Sequence, residues 1–277
     1  MGYNFAAVQL LGQKVKALPK SASILEFGRQ DLNPSIPDDV ILACAKVIHD
    51  DDASARKAAG RYNSSTSCPV SELFRGSSYR YRCLDLFPGE FTIVADLNSF
   101  SVPPGDGGSF DLITNFGTTE HVADQINAFR VLHDYAGVGS LIIHSVPFSG
   151  YFNHGLFNYH PLFFVFLAAA NNYKIEYLGL SPPHLPYSIP AISGLGGCEN
   201  WVAKTIESGI VGCHLRKIND EPFRLFTDAD RTMVDSFTVP EPWDQMLRDR
   251  YDLHVRPAAL GQANFSQRDG DPARQVE

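Results

Sequence analysis

The chain has 277 residues, enough to bury one large core or two small ones. Hydrophobic residues make up 44% and charged residues 19%, an ordinary globular composition, and a formal charge of −8 argues against a nucleic-acid surface, which needs clustered Lys and Arg. The five cysteines (Cys44, Cys68, Cys83, Cys198 and Cys213) form no CxxC pair, and an odd, dispersed set fits reduced thiols in a cytoplasm better than a disulfide framework.

Residues 5–18 read as an amphipathic helix, with Val8, Leu11, Val15 and Leu18 spaced three or four apart and Pro19 ending it. No basic segment followed by an apolar core precedes it, so no signal peptide is expected. Residues 23–28 read as a first strand running into a turn at Gly28. Residues 38–49 read as a second helix, opened by Pro37 and two acids. The polar, small and charged stretch 50–67 reads as a loop or lid, 70–75 as a short helical turn, 79–86 as a second strand and 91–95 as a third. SVPPGDGGS at 101–109 is a turn-rich connector.

Two apolar runs then stop abruptly. Asp111-Leu112-Ile113-Thr114 stops at Asn115-Phe116-Gly117, and Leu141-Ile142-Ile143 stops at His144-Ser145-Val146-Pro147. Buried parallel strands read as such short runs, and residues 121–135 between them have a helical pattern. Residues 161–172 read as a helix, 173–180 as a strand and 209–217 as a last strand; the apolar run 162–170 is too short to span a membrane. The strand-helix alternation predicts an α/β, doubly wound, mostly parallel sheet, and the late final strand is expected to run antiparallel. The predicted organisation is an N-terminal helix at 1–20, a main domain at 21–230 and a C-terminal extension at 231–277 with a partly disordered tail. The main domain carries an insertion at 31–78 and a Pro/Gly-rich excursion at 181–200.

In such sheets ligands bind beyond the carboxyl ends of the strands. Gly28 ends the first strand, where a missing side chain lets a ligand approach the backbone. Asp85 ends the second, where an acid can accept from both ribose hydroxyls; Asp96 ends the third and can accept from an adenine amino group. Either acid alone reads better as simply solvated; together with Gly28 they outline a nucleoside pocket. The sequence here is EFGRQDL, without the GxGxxG of dinucleotide-binding enzymes, and Gly194-Leu195-Gly196-Gly197 follows no nearby strand.

These segments resemble class I S-adenosylmethionine-dependent methyltransferases. The resemblance lies in ILEFG (24–28), YRCLD (81–85), IVADLN (93–98), FDLITNFGTTEHV (110–122) and GSLIIHSVPF (139–148), in the family's order, over residues 21–180. It implies a Rossmann-like methyltransferase fold with S-adenosyl-L-methionine as cofactor. It also implies Glu26 and Gly28 at the methionine part, Asp85 at the ribose, Asp96 with Leu97 at the adenine, and Asn115 with Phe116 near the sulfonium. The chain departs from the family in having one glycine followed by Arg29 and Gln30, and a long insertion between Glu26 and Asp85. Arg29 is placed to pair with the cofactor carboxylate or with a surface acid.

On the acceptor side, YFNHGLFNYHPLFF (151–164) suits a mostly apolar pocket with a few aimed polar groups. His144, Tyr151, Asn158 and Tyr159 are the candidate substrate contacts, and His154 and His160 the candidate general bases. The other reading makes Phe157, Tyr159, Phe163 and Phe164 core and has the histidines cap the next helix. His121, His144, His154 and His160 match no standard zinc spacing, so no metal is expected, and His121 reads as a helix residue. The expectation is a cytoplasmic methyltransferase with a small-molecule or sugar-linked acceptor, without nucleic-acid or membrane partners, and with homo-oligomerisation open. A non-catalytic binding or scaffold protein of the same fold, and a nicotinamide-dependent oxidoreductase, are the alternatives.

Overall fold

In a computed structural model, described over residues 2–181 and 209–227, the apolar runs become the inner strands of one sheet. Strands β1 (Ser23–Phe27), β4 (Arg80–Asp85), β5 (Thr92–Val94), β6 (Phe110–Phe116) and β7 (Ala136–Ser149) are parallel, and β8 (Tyr173–Ser181) and β9 (Gly209–Lys217) complete the sheet. Its order is β5-β4-β1-β6-β7-β9-β8, with β9 antiparallel to both neighbours. This is a doubly wound, mostly parallel sheet, with the late strand antiparallel as the sequence predicts. A small antiparallel pair, β2 (Asp31–Leu32) and β3 (Cys68–Pro69), lies within the insertion.

Side chains alternate between the sheet's two faces, so each inner strand feeds two cores. Ile24, Leu112 and Ile143 pack with helices α1 (Phe5–Lys16) and α2 (Asp38–Ile48). Leu25, Ile113 and Ile142 pack on the other face with α5 (Gln125–Tyr135) and α6 (Pro161–Ala170). The run on α6 is therefore core, and no described helix is long and apolar enough to cross a membrane.

Three expectations are corrected. Residues 50–67 are not simply a loop: they contain helix α3 (Asp52–Ala59), capped by Asp51 accepting from Ser54 N at 2.8 Å and seated through Ala55 and Ala58. Its small apolar face left no periodic signal. The short helix α4 (Ser71–Phe74) follows as expected. The helix expected from residue 121 starts at Gln125, because Asp124 caps it by accepting from Asn127 N at 2.8 Å; Thr119–His121 form a separate 3-10 turn. The strand expected to stop at His144 runs on to Ser149, because β9 pairs with it across Ser149↔Gly209. The C-terminal extension at 231–277, Gly194 to Gly197, Cys198 and nearly all of the excursion lie outside the described residues.

Candidate active site

The chain moves from β1 outward to β4 and β5, then returns to β6 on the other side of β1. That reversal opens a crevice at the carboxyl ends of β1 and β6. A cavity of about 580 Å³ lies there, lined by Gly28, Arg29 and Gln30 beyond β1, Asp85 beyond β4, Asp96 and Leu97 beyond β5, and Thr118 and His121 beyond β6. Gly2, Ser67 and residues 31–34 line it too, a wall from the N-terminal segment and the insertion that no sequence signal announced.

The Gly28 turn is held from three sides. Gly28 has φ +72° and donates to Leu84 O at 2.7 Å. Arg29 N donates to Asp85 Oδ2 at 2.8 Å, and Gln30 N donates to Glu26 Oε2 at 3.1 Å. The Thr118 hydroxyl donates to Phe27 O and accepts from Gln30 Nε2 at 2.9 Å. Thr118 and Gln30 escaped the sequence reading; the small polar residues after Phe116 were the available sign.

Asp85 and Asp96 both reach the cavity, with different burdens. Asp85 already accepts from Arg29 N and, through Oδ1, from Phe87 N at 2.9 Å. Asp96 is exposed, and its Oδ1 accepts from the backbone and side chain of Asn98, which holds its carboxyl below the usual range. Arg29 is exposed at the rim and makes no ion pair among the described residues. Glu26 lies beneath the turn instead of lining the cavity; it accepts from Tyr81 OH at 2.6 Å, and burial pushes its carboxyl up to about 8.

Asn115 and Phe116 stand behind the wall as the end of β6. Asn115 Oδ1 accepts from Thr118 N and Thr119 N, and its Nδ2 meets Thr119 Oγ1 at 2.9 Å and His144 Nδ1 at 3.1 Å. It therefore shapes the loop that carries Thr118. His144 is 1% exposed and packed on Phe129 and Phe164, and burial lowers its ring to about 3, so it stays neutral. It braces Asn115 and does not face an acceptor.

The acceptor segment divides the same way. Tyr159 is core: its N–H donates to Pro147 O at 2.7 Å and its hydroxyl to Gln125 Oε1. His160 caps α6, its Nδ1 accepting from Leu162 N at 3.2 Å. Asn158 is exposed and donates to Gly150 O at 3.2 Å. His154 and Tyr151 turn the other way, towards the 3-10 turn after β6. Leu156 N and Phe157 N donate to Glu120 O at 2.8 and 3.2 Å, laying the segment across Glu120. This brings His154 Nε2 to 3.3 Å and His121 Nε2 to 3.9 Å from Glu120 Oε1. Tyr151, at φ +56°, sets its ring 5.5 Å from that of His154. Burial raises Glu120 to about 7 and lowers both histidines. Glu120 is a residue the sequence reading missed, and His121 sits at the cavity edge, in the 3-10 turn that precedes α5.

No protein-family model matches the chain, and no curated protein matches it in sequence. Comparison of structures does find matches. A 1,6-didemethyltoxoflavin-N1-methyltransferase from Burkholderia thailandensis is 14% identical, covering 78% of this chain and 80% of its own, with a TM-score of 0.43. A geranyl diphosphate C-methyltransferase from Streptomyces coelicolor A3(2) is 11% identical, covering 77% and 80%, with a TM-score of 0.45. A TehB-like SAM-dependent methyltransferase from Corynebacterium glutamicum is 13% identical, covering 75% and 86%, with a TM-score of 0.39. The fold stands on the sheet order above and not on these scores.

Proposed function

We propose that the chain is an S-adenosylmethionine-dependent methyltransferase acting on a small-molecule acceptor. The observation that carries this is the cavity at the reversal of strand order, where the Gly28 turn meets Asp85 and Asp96 on successive strand ends. Its volume of about 580 Å³ suits a ligand of nucleoside size. In this reading Asp85 accepts from the ribose, Asp96 with Leu97 receives the adenine, and Gly28 and Arg29 meet the methionine end. Glu26 acts through the turn that it holds.

The bound cofactor supplies an electrophilic methyl group on a sulfonium; transfer leaves the bonding electron pair on sulfur. The chain's part is alignment and exclusion of water, which convert a bimolecular encounter into an oriented one. Glu120, His121, His154 and Tyr151 form the polar end of the acceptor side. Asp85 and Asp96 sit on strand ends that line the same cavity as His121.

Calorimetric and thermal-shift titration with S-adenosylhomocysteine, NAD and NADP tests the reading. A ligand that binds the native state alone raises the melting temperature. Only S-adenosylhomocysteine should do so. A response to none of the three favours the non-catalytic alternative, and a response to NAD or NADP favours an oxidoreductase.

A further inference from the structure

Glu120 has an unusual position. Its side chain is fully buried, and neither carboxylate oxygen accepts a hydrogen bond from another of the described residues. A desolvated carboxylate without donors is costly, and such groups normally pair or hold a cation. Two imidazoles approach it, and one ligand atom from each of Glu120, His121 and His154 lies within 4.8 Å of the others.

We propose that Glu120, His121 and His154 bind a divalent transition-metal ion at the acceptor end of the cavity, leaving coordination positions for oxygen atoms of the acceptor. The acceptor half of this statement rests on the methyltransferase reading; the metal half does not. Two imidazoles and one carboxylate suit zinc, manganese, iron or cobalt, whereas magnesium and calcium prefer oxygen ligands alone. Three protein ligands with further positions open are the pattern of reactive, not structural, metal sites.

The spacing is close to what a metal needs. Ligand bonds of about 2.0–2.2 Å put neighbouring donors roughly 3–3.5 Å apart. Glu120 and His154 already stand at 3.3 Å. His121 stands at 3.9 Å on a side chain that is 45% exposed, so a turn of its ring closes the remainder. The scaffold is built for this approach. A Cβ on Gly155 would come within 2.8 Å of Glu120 Cγ and 3.0 Å of Glu120 O, so only glycine lets the His154 segment lie so near. His121 also lines the cavity, which puts the open side of the triad towards the bound cofactor.

A metal here narrows the acceptor. Its ligand would be a hydroxyl, best with a second oxygen on the adjacent carbon, held in line with the methyl group. Coordination would lower the pKa of such a hydroxyl so that it loses its proton to solvent water; its oxygen would then take the methyl group as the S–C bond breaks, and no separate protein base is required. His154, read from sequence as a base, becomes a ligand.

The test uses the full chain stripped with chelator and titrated with Co²⁺ and Zn²⁺, by calorimetry and by cobalt absorption in the visible. The expected result is one ion per chain, with affinity falling roughly a hundredfold or more in Glu120→Ala and His154→Ala. The exposed His121→Ala provides a ligand deletion with little risk to the fold, and should weaken cobalt binding and alter its spectrum. S-adenosylhomocysteine affinity and melting temperature, measured on the same samples, report on the cavity and the fold. Absence of saturable Co²⁺ and Zn²⁺ binding to the wild type, or equal affinity in His121→Ala, would overturn the metal site. Metal binding without any S-adenosylhomocysteine binding would keep the metal site and remove the methyltransferase reading.

Discussion

The hydroxyl of Thr118 occupies the space that a side chain on Gly28 would take. A Cβ built on Gly28 meets both Thr118 Oγ1 and Cγ2, and Gln30 Nε2 at 2.9 Å. The sequence assigned this glycine to close approach by a ligand; its nearest neighbour is the loop after β6, which ties two strand ends together under the cavity.

Gly28→Ala should therefore lose stability for two separable reasons. The left-handed φ of +72° costs a non-glycine residue of order 1–3 kcal/mol, and contact with Thr118 adds to it. Thr118→Ala should remove the second cost and leave the first. Urea unfolding of the two single variants and the double variant would show coupling of about 0.5–3 kcal/mol. Strict additivity would mean that Thr118 moves aside freely.

The two acids at the cavity should separate by their other duties. A charge-assisted hydrogen bond contributes roughly 1.5–3 kcal/mol, so Asp96→Ala should weaken S-adenosylhomocysteine binding about tenfold to a hundredfold. Its melting temperature should hardly move, since Asp96 is exposed and bonds only within its own turn. Asp85→Ala should weaken binding and also lower the melting temperature, because Asp85 holds Arg29 N and Phe87 N. Unchanged affinity in both variants would dismiss the nucleoside pocket.

What the sequence showed and what it hid follow from the range of the interactions. Strands β1 and β6 were legible because a buried parallel strand is written locally, as apolar residues ended by Gly28 or Gly117, and β4 because its residues alternate up to Asp85. The antiparallel β9 was legible as a run, but its pairing along β7 was not, and that pairing turned His144 from a strand end into an interior residue. Glu120 was hidden for a related reason. Its partner His154 arrives through backbone bonds to Glu120 O and a close approach at Gly155, neither of which depends on a side-chain pattern.

Glu26 should give stability a particular pH dependence. Burial is the main cause raising its folded value from 4.5 to about 8, with Tyr81, Tyr3 and Asp31 the titratable groups that face it. Between those values the folded chain keeps a proton that the unfolded chain has released. Its contribution is thus fully present below 4.5 and is lost as pH rises through about 8. Glu26→Gln stays neutral throughout. Unfolding free energies of both proteins across this window should show the wild type falling relative to the variant as pH rises. Parallel curves would place the carboxylate's titration at its ordinary value.

His160 tests the division of labour within the acceptor segment. Its ring caps α6, and Pro161 follows at the first helical position, where the missing N–H costs nothing. Losing a capping side chain typically costs about 0.5–2 kcal/mol. His160→Ala should lower stability by that order, and His160→Asn, which supplies a capping oxygen, should restore most of it. S-adenosylhomocysteine affinity and Co²⁺ binding should match the wild type in both, since the ring caps a helix that packs on the core and is not one of the three grouped ligands. Methyl transfer, once an acceptor is in hand, should stay within a few-fold. A loss of turnover of roughly a hundredfold, with stability unchanged and not rescued by Asn, would instead mark His160 as the proton-accepting group.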